Sequence, residues 1–142
     1  MPDPTTEPAP YPTDTGGLCV LCVDDNADAA DSLGTFLELL GYEVTVTHDA
    51  KTALDAVAAG LRPQACVLDI SMPGMDGCGL ANALRGAPGG EDMLLIALTA
   101  LGGHESLTRM ADSGFDLYYQ KPVVPRELLA ELVKFAKNGR PA

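Results

Sequence analysis

The sequence predicts a doubly wound, three-layer α/β domain in which five parallel strands alternate with five helices. Three observations predict it. Short apolar runs and longer amphipathic stretches succeed one another along nearly the whole chain, as in consecutive βαβ units with right-handed crossovers. The connections between them are short and rich in Gly, Pro, Asp and Asn. The runs at 18–23, 65–69 and 93–98 are apolar without alternation, which suits strands covered by helices on both faces.

Each element has its own signal. Residues 18–23 form a continuous apolar run that stops at Asp24-Asp25-Asn26. Asn26 is a good N-cap, and Ala29, Leu33, Phe36, Leu37 and Leu40 follow at helical spacing before Gly41. Residues 43–47 alternate Val with Glu or Thr, the pattern of an edge strand. Asp49 caps a second helix carrying Ala53, Leu54, Val57 and Ala58, closed by Gly60. The third strand, 65–69, ends on Asp69 and a loop rich in Gly and Pro. Cys78, Leu80, Ala81 and Leu84 mark a third helix that ends before Gly86. The run 93–98 is the most apolar of all and belongs at the sheet centre, with Thr99 ending it. Residues 104–113 read as a weak, polar helix with Leu107, Met110 and Ala111 inward. Residues 116–120 form the fifth strand, ending at Lys121-Pro122. Pro125 suits a helix N1 position, and Leu128, Leu129, Leu132, Val133 and Ala136 make the buried face of the last helix.

With 142 residues the chain is read as one domain, 18–138, which needs no disulfide or metal staple to fold. Residues 1–17 hold five prolines and almost nothing apolar, so they read as a disordered tail or linker. Residues 139–142 read as a flexible C-terminus. Twenty acids against nine bases give a net charge of −11, which disfavours nucleic acid and anionic membrane surfaces as partners. No apolar run approaches the roughly 20 residues of a membrane span. Cys19 and Cys22 have the spacing of a metal or redox pair, but residues three apart on a strand point to opposite faces. The four cysteines are therefore read as small buried hydrophobes in a reducing cytoplasm.

The informative feature is what stands at the C-terminal end of each strand. Strand one delivers Asp24 and Asp25, strand three Asp69, strand four Thr99 and strand five Lys121. Parallel strands bring these ends to one rim, where open sheets place their ligand crevices. Carboxylates about 4 Å apart repel by roughly 4 kcal/mol per pair even at an effective dielectric near 20. One lysine does not balance three of them. A divalent cation does, and all-oxygen ligands favour Mg²⁺ or Mn²⁺ over zinc. A carboxylate beside such an ion can act as a nucleophile toward phosphorus, while the ion, Lys121 and the Thr99 hydroxyl with backbone N–H groups take the three phosphoryl oxygens. His48 and His104 are read as surface residues.

Taken together, Val23-Asp24-Asp25-Asn26, the stretch Leu68-Asp69-Ile70-Ser71-Met72-Pro73-Gly74-Met75-Asp76-Gly77, Ala97-Leu98-Thr99-Ala100, and Gly114-Phe115-Asp116 running on to Lys121-Pro122 resemble the receiver (response-regulator) domain of two-component signalling. The resemblance covers about residues 18–138 and implies a flavodoxin-like sheet of strand order 2-1-3-4-5. It also implies that Asp69 is the phosphoacceptor, that Asp24, Asp25 and Asp69 hold Mg²⁺ with help from the Ser71 backbone, that Lys121 binds phosphate, and that Thr99 and Tyr118 are the switch residues. Tyr118 also admits a plainer reading as a half-buried ring on the last strand, while Tyr119 faces the other side and packs.

The expected donor is a histidine kinase or histidine phosphotransfer domain, and the expected output is a changed protein–protein surface on an otherwise monomeric or weakly dimeric protein. The chain is not expected to be an enzyme beyond its own phosphorylation and dephosphorylation. It offers no output domain after residue 138, as in receivers that stand alone or are fused to hybrid kinases. Two rivals stay open. One is a receiver that docks partners without phosphorylation. The other is a Mg²⁺-dependent phosphohydrolase with an Asp nucleophile, although such enzymes carry a second carboxylate where this chain has Ser71.

Overall fold

The computed structural model describes residues 18–72, 74–100 and 107–141. The tail at 1–17, His104, the start of the expected fourth helix and the Leu107 side chain lie outside what it describes. Strands β1 (Cys19–Val23), β2 (Glu43–Thr47), β3 (Ala65–Asp69), β4 (Leu94–Thr99) and β5 (Leu117–Gln120) pair in parallel in the order β2-β1-β3-β4-β5. Between and after them run α1 (Ala27–Leu39), α2 (Ala50–Ala58), α3 (Gly77–Arg85), α4 (Leu107–Asp112) and α5 (Pro125–Asn138), with a short 3-10 turn at Gly90–Asp92.

The period of two within each strand divides the core. Leu21, Cys66, Leu68, Leu95 and Ala97 meet α2, α3 and Met110 of α4 on one face. Val20, Cys22, Val67, Ile96 and Leu98 meet α1 and α5 on the other. Both faces are covered, which is why the central strands show no polar alternation. Gly34 lets α1 lie close on the edge strand: a Cβ there would stand 2.6 Å from Val46 Cγ2. The side chains of Asn26, Asp49 and Asp76 cap α1, α2 and α3 by accepting the N–H groups of Ala29, Thr52 and Gly79.

Burial pushes the Cys22 thiol up to about 12 and the Cys66 thiol higher still. All four cysteines are free, and Cys22 and Cys66 face opposite layers. Cys22, Cys66 and Cys78 are buried packing groups, as expected, whereas Cys19 is partly exposed.

Two expectations need correcting. Ala111 does not face inward. It is exposed, because Met110, about 100° away around the helix, takes the core-facing position. Asp116 is not the first residue of β5 but precedes it, with its carboxylate turned to Arg85.

Arg85 closes the edge of the sheet opposite the rim. Its guanidinium donates to the carbonyls of Gly90 (2.7 Å), Met93 (2.6 Å) and Gly114 (2.6 and 3.0 Å) and to Asp116 Oδ2 (2.8 Å). Asp116 also accepts the Leu95 N–H and the Arg140 guanidinium. One side chain thus joins the end of α3 to the starts of β4 and β5. Replacing Arg85 by Gln strands these buried acceptors, with Arg140 left as partial compensation. The expected loss is about 3 kcal/mol of folding stability, measured by urea denaturation.

Candidate functional site

The pairing register sets the site. Val23 lies beside Leu68 and Asp69 beside Leu98, so Asp24 and Asp69 emerge from adjacent strands at the same edge. Asp24 and Asp69 are buried, at 5% and 2% exposure, whereas Asp25 is open to solvent. One carboxylate oxygen from each lies within 4.8 Å of the others. Lys121 reaches back over them, its ammonium 3.0 Å from Asp24 Oδ2 and 3.2 Å from Asp69 Oδ1. The peptide between Lys121 and Pro122 is cis, and the Lys121 N–H donates to the Thr99 carbonyl at 2.7 Å.

Backbone donors complete the cradle. Asp24 Oδ1 accepts the Asn26 N–H at 2.9 Å, and Asp69 Oδ1 accepts the Ser71 N–H at 3.1 Å. The loop after Asp69 is drawn in by Gly77, whose N–H donates to the Ile70 carbonyl at 3.0 Å. A Cβ on Gly77 would stand 2.5 Å from the Asp69 carbonyl oxygen, so only glycine permits this approach.

Burial, the Asp24 charge and the shared contact with Asp25 together raise the Asp69 carboxyl to about 7, with Lys121 opposing them. Lys121 moves upward as well: desolvation works against its charge, but Asp24 and Asp69 outweigh that loss. The cluster thus holds more negative charge than its single ammonium balances. Its donors are all oxygen, and the open side at Asp25 leaves room for water. Ligand oxygens about 2.1 Å from one octahedral Mg²⁺ lie about 3.0 Å apart when adjacent and about 4.2 Å apart when opposite, so the three carboxylates, within 4.8 Å of one another, would close in on such an ion.

The other expected residues are placed unequally. The Thr99 hydroxyl donates to the Tyr119 carbonyl at 3.4 Å and makes no bond to the carboxylates. Tyr118 is a half-buried ring on the same sheet face, edge-on to Phe115 at 6.5 Å, with its hydroxyl 3.5 Å from the Phe115 carbonyl. Tyr119 packs in the opposite layer, as expected. His48 is on the surface, 3.2 Å from Asp31. Sequence reasoning did not find the pair of Arg109 and Asp76, 2.7 Å apart across α4 and α3, nor the Arg85 hub. The cap signal at Asp76 was visible; its distant partner was not.

Residues 20–133 match the family model described as the response regulator receiver domain. "Response regulator MprA" of Mycobacterium tuberculosis is 37% identical over 122 residues, covering 86% of this chain and 52% of that protein. The chain therefore spans about half the length of the curated relatives of this kind. An uncharacterized 14.6 kDa protein of Leptolyngbya boryana is 43% identical over 110 residues, covering 78% of this chain and 83% of that one. A solved structure described as a response regulator from Chloroflexus aurantiacus superposes with a TM-score of 0.75 at 29% identity, covering 85% of this chain and 98% of that one.

The raised Asp69 carboxyl has a consequence for stability. A carboxyl higher in the folded state than its unfolded value near 4 adds stability that is fully present below about pH 4 and is lost as pH rises through about 7. Metal-free protein is therefore expected to be less stable at pH 8 than at pH 5.5, by about 2 kcal/mol at most, and to melt at a lower temperature. Asp69→Asn is expected to flatten that slope. Thermal melts across the pH range, with and without Mg²⁺, check both.

Proposed function

Because the chain belongs to the response regulator receiver domain family of two-component signalling, we propose that Asp69 takes a phosphoryl group from a phosphohistidine of a histidine kinase or phosphotransfer domain. The observation that carries this reading is the Lys121 ammonium bridging Asp24 and Asp69, with Asp25 within 4.8 Å.

An Asp69 carboxylate oxygen attacks phosphorus. A P–O bond forms, the P–N bond to the histidine breaks, and the imidazole nitrogen keeps the electron pair and takes up a proton. Lys121 stabilises the charge that spreads over the equatorial oxygens, and the Ser71 N–H orients the nucleophile. Asp24, Asp25 and Asp69, with the Ser71 carbonyl region, would hold Mg²⁺, which neutralises charge on the transferring group. With the ion bound, the Asp69 carboxylate would be ionised at neutral pH.

The product carries about two negative charges where one carboxylate stood. Thr99 would then leave the Tyr119 carbonyl for a phosphoryl oxygen, and the α4–β5–α5 surface with Tyr118 would change its affinity for a partner, to the extent that phosphorylation stabilises one of two conformations more. A cleft of about 590 Å³ beside the rim, lined by Ala29, Ala30, Leu33, Pro122 and Val123 among others, gives a donor protein an apolar surface next to Lys121. Among the described residues no helix is long and apolar enough to cross a membrane, and we place the domain in the cytoplasm with its donor. The phosphohydrolase reading is weaker, because Ser71 has no carboxyl to serve as the second acid–base group.

Incubation with acetyl phosphate and Mg²⁺ is expected to add one acid-stable, base-labile phosphate to the chain, with no sustained turnover of p-nitrophenyl phosphate. Asp69→Asn is expected to abolish uptake while the far-UV circular dichroism stays unchanged. Uptake at the wild-type level in this variant would refute the assignment.

A further inference from the structure

The phosphoacceptor loop has a second anchor that the site chemistry does not use. Its near end is bonded to the acceptor through the Ser71 N–H on Asp69 Oδ1. Its far end is fastened behind the acceptor by Gly77, whose N–H is on the Ile70 carbonyl and whose Cα packs against the Asp69 carbonyl. Asp76, immediately before Gly77, divides its carboxylate between two partners. Oδ1 caps α3 by accepting the Gly79 N–H at 3.0 Å, and Oδ2 accepts Arg109 Nη2 of α4 at 2.7 Å. Burial pushes the Asp76 carboxyl up, but the Arg109 and backbone hydrogen bonds outweigh it and hold it below the usual range.

Among the described side chains of 107–112, Met110 is buried, while Thr108, Arg109, Ala111 and Asp112 are exposed. The Arg109–Asp76 pair is one of the contacts that tie the described part of α4 to the body. It spans a polar groove lined also by Asn82, Thr108 and Asp112. Asp76 thus stands between the end of the loop that Gly77 fastens to β3 and the α4 side chain of Arg109, so a movement that draws on Gly77 would act on this pair.

We propose that Arg109 is a positioning residue for the phosphoacceptor loop: its ion pair with Asp76 ties α4 to the resting loop and is given up when Asp69 carries a phosphoryl group. This rests on the phosphoacceptor reading above. The route is separate from the one through Thr99 and Tyr118, which runs along β4 and β5. Coupling of this kind is reciprocal, so a partner that pulls α4 away from Asp76 would in turn make Asp69 easier to phosphorylate.

The test measures the affinity of the full chain for beryllofluoride in the presence of Mg²⁺, in wild type, Arg109→Gln and Asp76→Asn. Asn retains the helix cap, so the second variant keeps α3 intact. Both variants are expected to bind beryllofluoride about two- to five-fold more tightly, the range for losing a partly exposed ion pair that only the resting form makes. The two substitutions change net charge in opposite directions, so a common tightening cannot come from the overall field. Amide hydrogen exchange over 107–113 is expected to speed up in wild type when beryllofluoride binds, and to be already fast in unliganded Arg109→Gln. A wild type that does not bind beryllofluoride at all would overturn the phosphoacceptor reading itself. Wild-type binding with unchanged or weaker binding in both variants would overturn only the role given to Arg109.

Discussion

Crowding of like charge at one edge of the sheet is the constraint on which the rest of this structure depends. Three carboxylates come within 4.8 Å of one another, where each pair repels by about 3 kcal/mol at an effective dielectric near 20. Lys121 is the ammonium set among them, bonded to two. The imbalance shows in the Asp69 carboxyl, which stands near neutrality instead of in the ordinary acid range. Under the function proposed above, a cation would relieve this crowding, and the Asp69 carboxylate would gain ionised character on its arrival.

The fold tolerates the tension because its other edge is strongly tied. Arg85 gathers the carbonyls of Gly90, Met93 and Gly114 and the Asp116 carboxylate at the N-terminal ends of β4 and β5. Leu21, Leu68, Leu95, Leu128 and Leu129, all fully buried, fill the layers between the two edges. The rim residues themselves therefore need contribute little to stability, and they are free to be placed for charge and reach. Among the helices, α5 buries three leucines, while the described part of α4 buries Met110 and carries an ion pair to α3.

Asp76 shows how a local signal acquires a second use through the fold. As the N-cap of α3 it satisfies a backbone N–H, a role any Asp in that position fills. Its other oxygen reaches a helix 33 residues on in the chain. That contact joins the loop behind Asp69 to a helix that shares no backbone hydrogen bond with it. Thr99 and Tyr118 lie on the same side of the sheet as this joint.

Much of this was legible in the chain because it is local or periodic. The strands and caps follow from apolar runs and from Asn26, Asp49 and Asp76, and parallel topology alone sends Asp24, Asp25, Asp69, Thr99 and Lys121 to one rim, since strand ends in βαβ units share a direction. What only the tertiary structure decided are contacts between residues distant in sequence whose side chains have no period to betray them. Ala111 fits a helical stripe yet is exposed, because Met110 beside it takes the core-facing position. Asp116 reads as a strand residue until Arg85, 31 residues away, claims its carboxylate. The Thr99 hydroxyl rests on a neighbouring strand's carbonyl, and Arg109 finds Asp76, for the same reason: long polar side chains choose partners in three dimensions, where chain order carries no information about reach.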